Sequence, residues 1–133
     1  MVDSWQVLTA ARTLWQEARG EPLEGQKAVA HVIWNRLRAR RWGTTLASVC
    51  LWTGQFSGWR SSDPNFAVAC ALQDDDADLL RLSQIMLAAE DAEDPTGGAT
   101  HYFSPSMRTS PLWSLNATYC GTFGRQRFYK NVR

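Results

Sequence analysis

No apolar run in this chain approaches the roughly 20 residues that a membrane-spanning helix needs, which excludes stable membrane insertion by that route. Lysine is nearly missing: of 14 basic residues only Lys27 and Lys130 are lysines, and the other 12 are arginine. Thirteen acids bring the net charge to +1, so no global field favours a nucleic-acid partner. The three cysteines, Cys50, Cys70 and Cys120, form no CxxC pair and no metal-ligand spacing. An odd count argues against a complete disulfide framework. Ordinary thiols are the expectation, with a Cys50–Cys70 bridge as the alternative. No motif calls for a metal or any other cofactor. The first residues, MVDSWQVLTAARTL, contain no positive n-region, no unbroken apolar segment and no small-residue cleavage site. The expectation is a protein made in the cytoplasm without a signal peptide. Internal repeats and low-complexity segments are also missing.

What is present suits a single folded domain spanning residues 1–133, with 44% hydrophobic and 20% charged residues. Seven tryptophans are a heavy load for this length, and some near a cleft would suit stacking on flat sugar faces.

Val7, Leu8, Ala11, Leu14, Trp15 and Ala18 share one face of an amphipathic helix. Asp3 or Ser4 can cap it, with Gln6 as the capping-box partner of Asp3. Gly20 is the expected left-handed residue beyond its end, and Pro22 prevents continuation. A second helix is predicted over about 24–40, with Val29, Val32, Ile33 and Leu37 as its apolar face. Short helices are predicted over 46–51 and 64–72, separated by an ordered loop over 53–63. The acids Asp74, Asp75, Asp76 and Asp78 read as a turn and N-cap for a helix carrying Leu79, Leu82, Ile85, Met86 and Ala89. A calcium site is the sharper reading of that run, but it lacks the glycine and terminal glutamate of an EF-hand loop. Asp94 to Gly98 is turn chemistry. Residues 100–103 and 122–129 are expected as short strands or extended arms.

Three glutamates, Glu17, Glu21 and Glu24, cluster in LWQEARGEPLEGQ. Glu17 falls in the last turn of the first helix, at the border of its apolar stripe. Partial burial and the negative end of the helix dipole both raise its pKa, as a general acid near neutral pH requires. Arg19 opposes this if it pairs with Glu17. Position alone favours the plainer reading, a surface glutamate in a helix's last turn. Glu24 fits the first turn of the second helix, and Glu21, before a proline, is forced toward an extended conformation.

The segment EARGEPLEGQKAVAHVIWNRL (17–37) resembles the opening motif of the SleB-type cell-wall hydrolases, the spore-cortex-lytic enzyme family. GQFSGW (54–59), DPTGGATHYFSP (94–105) and FGRQRFYK (123–130) resemble that family's later segments in order and spacing. Gln126 stands where the family commonly has His. Gln bonds hydrogen but does not titrate, and the position is read as structural.

The resemblance implies a mainly helical, lysozyme-like α+β fold with a small β element lining a glycan groove. It implies action on peptidoglycan glycan strands between N-acetylmuramic acid and N-acetylglucosamine, with Glu17 as the catalytic acid. No convincing second carboxylate accompanies Glu17, which favours a lytic transglycosylase forming 1,6-anhydromuramic ends; muramidase hydrolysis is the alternative. Gln55 and Ser57, on a loop flanked by Gly54 and Gly58, are candidates to bond sugar substituents. Tyr102 is expected to face the groove, contact substrate and steady Glu17; His101 beside it reads as outward-facing but is kept among the candidate substrate-binding residues. Trp59 and Trp113 are placed near sugar subsites, and Glu21 joins the candidate substrate-binding residues. Trp5, Trp15 and Trp34 read as core or core-edge. Asn35 is expected to bond a loop backbone, and His31 is not read as a ligand.

The basic run RLRARRW (36–42) raises a rival class, binding to nucleic acid or an anionic surface, but cations complementing a helix C-terminus are the preferred reading, and no nucleic-acid partner is expected. A non-catalytic peptidoglycan-binding module is a third class, and Glu17 speaks against it. The expectation is a monomeric enzyme acting on the bacterial cell wall. A phage endolysin released through a holin fits the lack of a signal segment.

Overall fold

The computed structural model describes residues 3–52 and 55–133. Gly54, one flank of the expected loop, lies outside the described residues. Helices α1 (Ser4–Ala18), α2 (Leu23–Ala39), α3 (Leu46–Leu51), α4 (Pro64–Ala71) and α5 (Ala77–Asp91) precede a sheet of β1 (His101–Phe103), β2 (Thr118–Phe123) and β3 (Gln126–Lys130). Single 3-10 turns cover Ser57–Trp59 and Leu112–Asn116. The fold is therefore mainly helical with a small β element, as expected.

Helix α1 packs against α5, α3 and α2. Its predicted stripe forms the seam: Ala11, Leu14 and Ala18 are buried, as are Val29, Val32 and Ile33 of α2 and Leu79, Leu82 and Met86 of α5. Trp34 is buried, and its indole N–H donates to the Met86 carbonyl at 2.8 Å. Trp5, expected at the core or its edge, is instead 58% exposed. It lies one turn before Leu8, beyond the edge of the stripe, where solvent reaches it.

The helix ends depart from expectation. Asp3 is the N-cap residue but makes no side-chain capping bond. Gln6, its expected partner, accepts the Ala47 N–H at 3.3 Å and ties α1 to α3. Gly20 is not left-handed, and the α1 helix closes on Arg19 in the right-handed region. Pro22 then serves as the N-cap of α2. Asp76 Oδ1 caps α5 by accepting the Leu79 N–H at 3.1 Å, while Asp74 pairs with Arg12 at 3.0 Å. All three cysteines are free, so the Cys50–Cys70 bridge is not formed.

The extended arm predicted over 122–129 is a hairpin, and β2 begins earlier, at Thr118. Gly124 takes φ 61°, the conformation a tight hairpin turn demands. The sheet is antiparallel in the order β1-β3-β2. Phe128 at its centre is fully buried and joins the helical core; truncating such a ring to alanine costs about 3–5 kcal/mol.

Candidate active site

The end of α1 and the start of the sheet meet at two side chains. Glu17 is half-buried in the last turn of α1, and Tyr102 stands on the inner face of β1, packed against the core. Tyr102 Oη donates to Glu17 Oε1 at 2.5 Å. Burial pushes the Glu17 carboxyl above its ordinary value; the Tyr102 hydrogen bond and the Arg36 charge oppose this, and Asp63 reinforces it. Burial and the neighbouring carboxylate hold Tyr102 well above its own usual value, so the hydroxyl remains a donor.

Arg36 is the residue of this candidate site that sequence reading missed. It was counted within a basic run, yet it is only 5% exposed. Its signal was on the helical wheel: Val29, Ile33 and Arg36 fall at i, i+4 and i+7, on one stripe. Its Nε donates to the Thr100 carbonyl at 2.6 Å, two residues before Tyr102. The guanidinium carbon lies 4.8 Å from the centre of the Phe56 ring and 5.4 Å from that of Trp42. Its Nη1 is buried without a hydrogen-bond partner among the described residues. The rest of the run diverges. Arg38 donates to the Glu90 carbonyl at 2.7 Å and Arg41 to the Val132 carbonyl at 2.7 Å, so the cations do not share one face.

The 55–63 loop is strapped to α1 beside Glu17. Gln16 Nε2 donates to the Gly58 carbonyl at 2.9 Å, and a β-carbon at Gly58 would sit 2.5 Å from Gln16 Oε1, so only glycine lets the loop come this close. Trp59 donates its indole N–H to Thr13 Oγ1 at 2.8 Å and meets Phe66 edge-on, which fixes its ring. Gln55 is half-buried and Ser57 exposed, and neither side chain makes a hydrogen bond within the described residues. Asp63 Oδ1 caps α4 by accepting the Asn65 N–H at 2.8 Å.

Other expected site residues are placed differently. Glu21 is turned inward: its carboxylate accepts the Arg125 backbone N–H at 2.6 Å and pairs with the Arg125 guanidinium at 3.1 Å, with its side chain 9% exposed. Arg125 also donates to the Gly20 carbonyl. Glu21 thus clasps the β2–β3 turn to the α1–α2 corner. His101 lies on the far side of the sheet from Tyr102, between the Trp42 and Trp113 rings at 5.6 and 5.0 Å. Burial, then the charges of Arg36 and Arg41, lower its pKa to about 4. Asn35 does bond a loop, donating to Asp94 Oδ2 at 2.8 Å and to the Ala99 carbonyl at 2.9 Å. Burial alone would raise the Asp94 pKa, but its bonds to Asn35, Thr96 and Gly98 bring it below the usual carboxylate value. His31 is buried, with Nδ1 3.8 Å from Asp94. Gln126 opens β3 and pairs with Phe123 across the hairpin end.

A large apolar groove of about 690 Å³ lies elsewhere, between α2 and α5, with Lys27, Ile85 and Ala92 on its walls. The candidate site is instead the cluster of Glu17, Tyr102 and Arg36, where burial and close charged partners meet.

The family model described as Cell Wall Hydrolase matches residues 20–129. Spore cortex-lytic enzymes from Halalkalibacterium halodurans and Oceanobacillus iheyensis are 34% and 36% identical to the chain over 109 residues each, 78% of its length. The chain spans 29% and 34% of those relatives, about a third of their length. Among solved structures, the catalytic domain of the germination-specific lytic transglycosylase SleB from Bacillus anthracis matches with a TM-score of 0.76 and 26% identity, covering 96% of both chains. The catalytic domain of the Bacillus cereus SleB protein matches with a TM-score of 0.79 and 27% identity, covering 98% of this chain and 93% of that one. With the fold of the SleB catalytic domains and a family match across most of its length, the chain belongs to the cell wall hydrolase family.

Proposed function

We propose that this chain, as one monomeric catalytic unit, cleaves peptidoglycan strands between N-acetylmuramic acid and N-acetylglucosamine as a lytic transglycosylase. The observation that carries the reading is Glu17, a half-buried carboxyl held by Tyr102, with its pKa raised chiefly by burial. A carboxyl that holds its proton more tightly than a free glutamic acid can give it to the glycosidic oxygen as the C1–O bond breaks. The resulting carboxylate then takes the proton of the muramic acid 6-hydroxyl while that oxygen bonds to C1. The product is a 1,6-anhydro sugar, and no water is consumed. Tyr102 keeps the carboxyl oriented through both transfers. Gln55, Ser57 and Trp59 are the proposed sugar contacts beside it.

One observation favours the muramidase alternative. Asp63 lies close enough for its charge to act on Glu17, and hydrolysis calls for a second carboxylate near the acid. Its Oδ1 is committed to capping α4, which weighs toward the single-acid route.

Mass spectrometry of digested, purified peptidoglycan separates the two. Anhydromuropeptides are expected, and reducing muramic ends would replace this reading with hydrolysis. Glu17→Gln should lose about 10²–10⁴-fold in rate while remaining folded. Lysis by that variant at the wild-type rate would remove Glu17 from the mechanism.

A further inference from the structure

The sheet has a second ring-lined face, turned away from Glu17. Strand alternation sends Tyr102 and Phe128 inward and leaves His101, Phe103, Arg127 and Tyr129 on the outer side. Strand β2 joins that outer face through a bulge. Tyr119 pairs with Tyr129, but the next inward pairing with Phe128 is made by Gly121, with Cys120 as the extra residue. The insertion shifts the alternation by one, so Tyr119 and Thr122 both stand outward beside Tyr129 and Arg127. Gly121 adopts φ 137°, a conformation that L residues rarely take.

The result is a small cleft of about 310 Å³ lined by Tyr119, Thr122, Arg127 and Tyr129. The Tyr119 and Tyr129 rings are 5.6 Å apart, and the Tyr119 hydroxyl shares a 2.6 Å hydrogen bond with Thr122 Oγ1. Phe103 stacks behind Tyr129 at 5.4 Å, and Trp113 meets it edge-on at 5.5 Å, which stiffens the platform. Yet Tyr119 is 55% exposed. Among the described residues Arg127 pairs with no carboxylate. A stiff aromatic ledge beside an uncommitted guanidinium complements a ligand with an apolar flat face and a carboxylate. A pyranose ring bearing an acidic peptide has both.

We infer that this outer cleft is a second glycan site, where a sugar of the peptidoglycan strand stacks on the exposed Tyr119 ring, with the inclined Tyr129 ring as the side wall, while Arg127 takes a carboxylate of the attached peptide. The inference rests on the peptidoglycan reading above. A site on the far face of the sheet supplies no group to the reaction; it holds the insoluble polymer and raises its effective concentration at Glu17.

Co-sedimentation with purified insoluble peptidoglycan, using Glu17→Gln protein so that the glycan stays uncut, tests it. Adding Tyr119→Ala and Arg127→Ala together should weaken binding about tenfold. The same two changes in the otherwise native chain should leave turnover of short soluble glycan fragments within about twofold and thermal unfolding unshifted. Undiminished sedimentation overturns the inference. Parallel loss of soluble turnover or of stability also overturns it, by making the face part of the catalytic groove or the core. Sedimentation that depends on Tyr119 and Arg127, from a native chain that releases neither kind of glycan end, would support this site and count against the catalytic reading.

Discussion

Tyr102 Oη donates a 2.5 Å hydrogen bond to Glu17 Oε1, joining the last turn of the first helix to the first strand across 85 positions of sequence. This contact lowers the Glu17 pKa, while burial, the larger influence, raises it. The balance between the two sets where Glu17 loses its proton.

Tyr102→Phe removes the lowering influence and keeps the burial. The Glu17 pKa then rises, and the alkaline limb of the rate–pH profile, where the acid must still be protonated, moves to higher pH. The freed carboxyl also loses orientation, so the maximal rate should fall about tenfold or more. An alkaline limb that stays in place would show that the bond does not tune Glu17.

The raised Glu17 pKa also fixes the sign of a stability effect. Above the unfolded value the native state binds more protons, so folding is favoured at low pH and loses this contribution as pH rises through the native value. Glu17→Gln removes a buried carboxylate and should raise the melting temperature relative to wild type most at pH 8 and least near pH 4. His101, lowered from 6.5 to about 4, acts in the opposite sense: it withdraws stability as pH falls through that interval. Calorimetry of Glu17→Gln and His101→Gln across pH 4–8 separates them.

Arg36 is held by the Thr100 carbonyl and two aromatic rings, and its charge reaches both Glu17 and Tyr102. Arg36→Met leaves that carbonyl unpaired and should cost about 1–3 kcal/mol of stability in denaturant unfolding. It should also move the alkaline limb upward, because a cation that favoured the Glu17 carboxylate is gone. Arg36→Lys keeps the charge but not the planar fork, so it should return the limb toward wild type while recovering less of the stability.

Glu21 predicts a loss of stability without a change in chemistry. Glu21→Ala removes the acceptor of the Arg125 N–H and the partner of its guanidinium, and should cost about 1–2 kcal/mol. The rate–pH profile should keep its shape at temperatures where the variant is folded. A shifted profile would return Glu21 to the substrate-binding residues.

The thiols give a check on the core. Burial pushes Cys50 up to about 12, whereas Cys70 is exposed. A thiol-alkylating reagent at pH 8 should label Cys70 in the native protein within minutes and reach Cys50 only after denaturation, as read by peptide mass spectrometry.

Local pattern alone carried much of this molecule. Apolar spacing determined α1, α2 and α5, because a helical stripe is a property of neighbours three and four apart. Proline at 64 and the acids before residue 77 set the starts of α4 and α5 through capping, which is equally local. The wheel shows Glu17 in the last turn at the edge of a stripe, a place that by itself favours a surface glutamate; the family motif is what singles it out. Tertiary structure decided the rest. Burial of Arg36, the inward turn of Glu21 onto Arg125, and the bulge that carries Tyr119 to the outer face all depend on segments far apart in sequence. Periodicity reports which way a residue points from its own element; it holds no information about which distant charge, carbonyl or ring it will meet there, and those meetings set the pKa of Glu17.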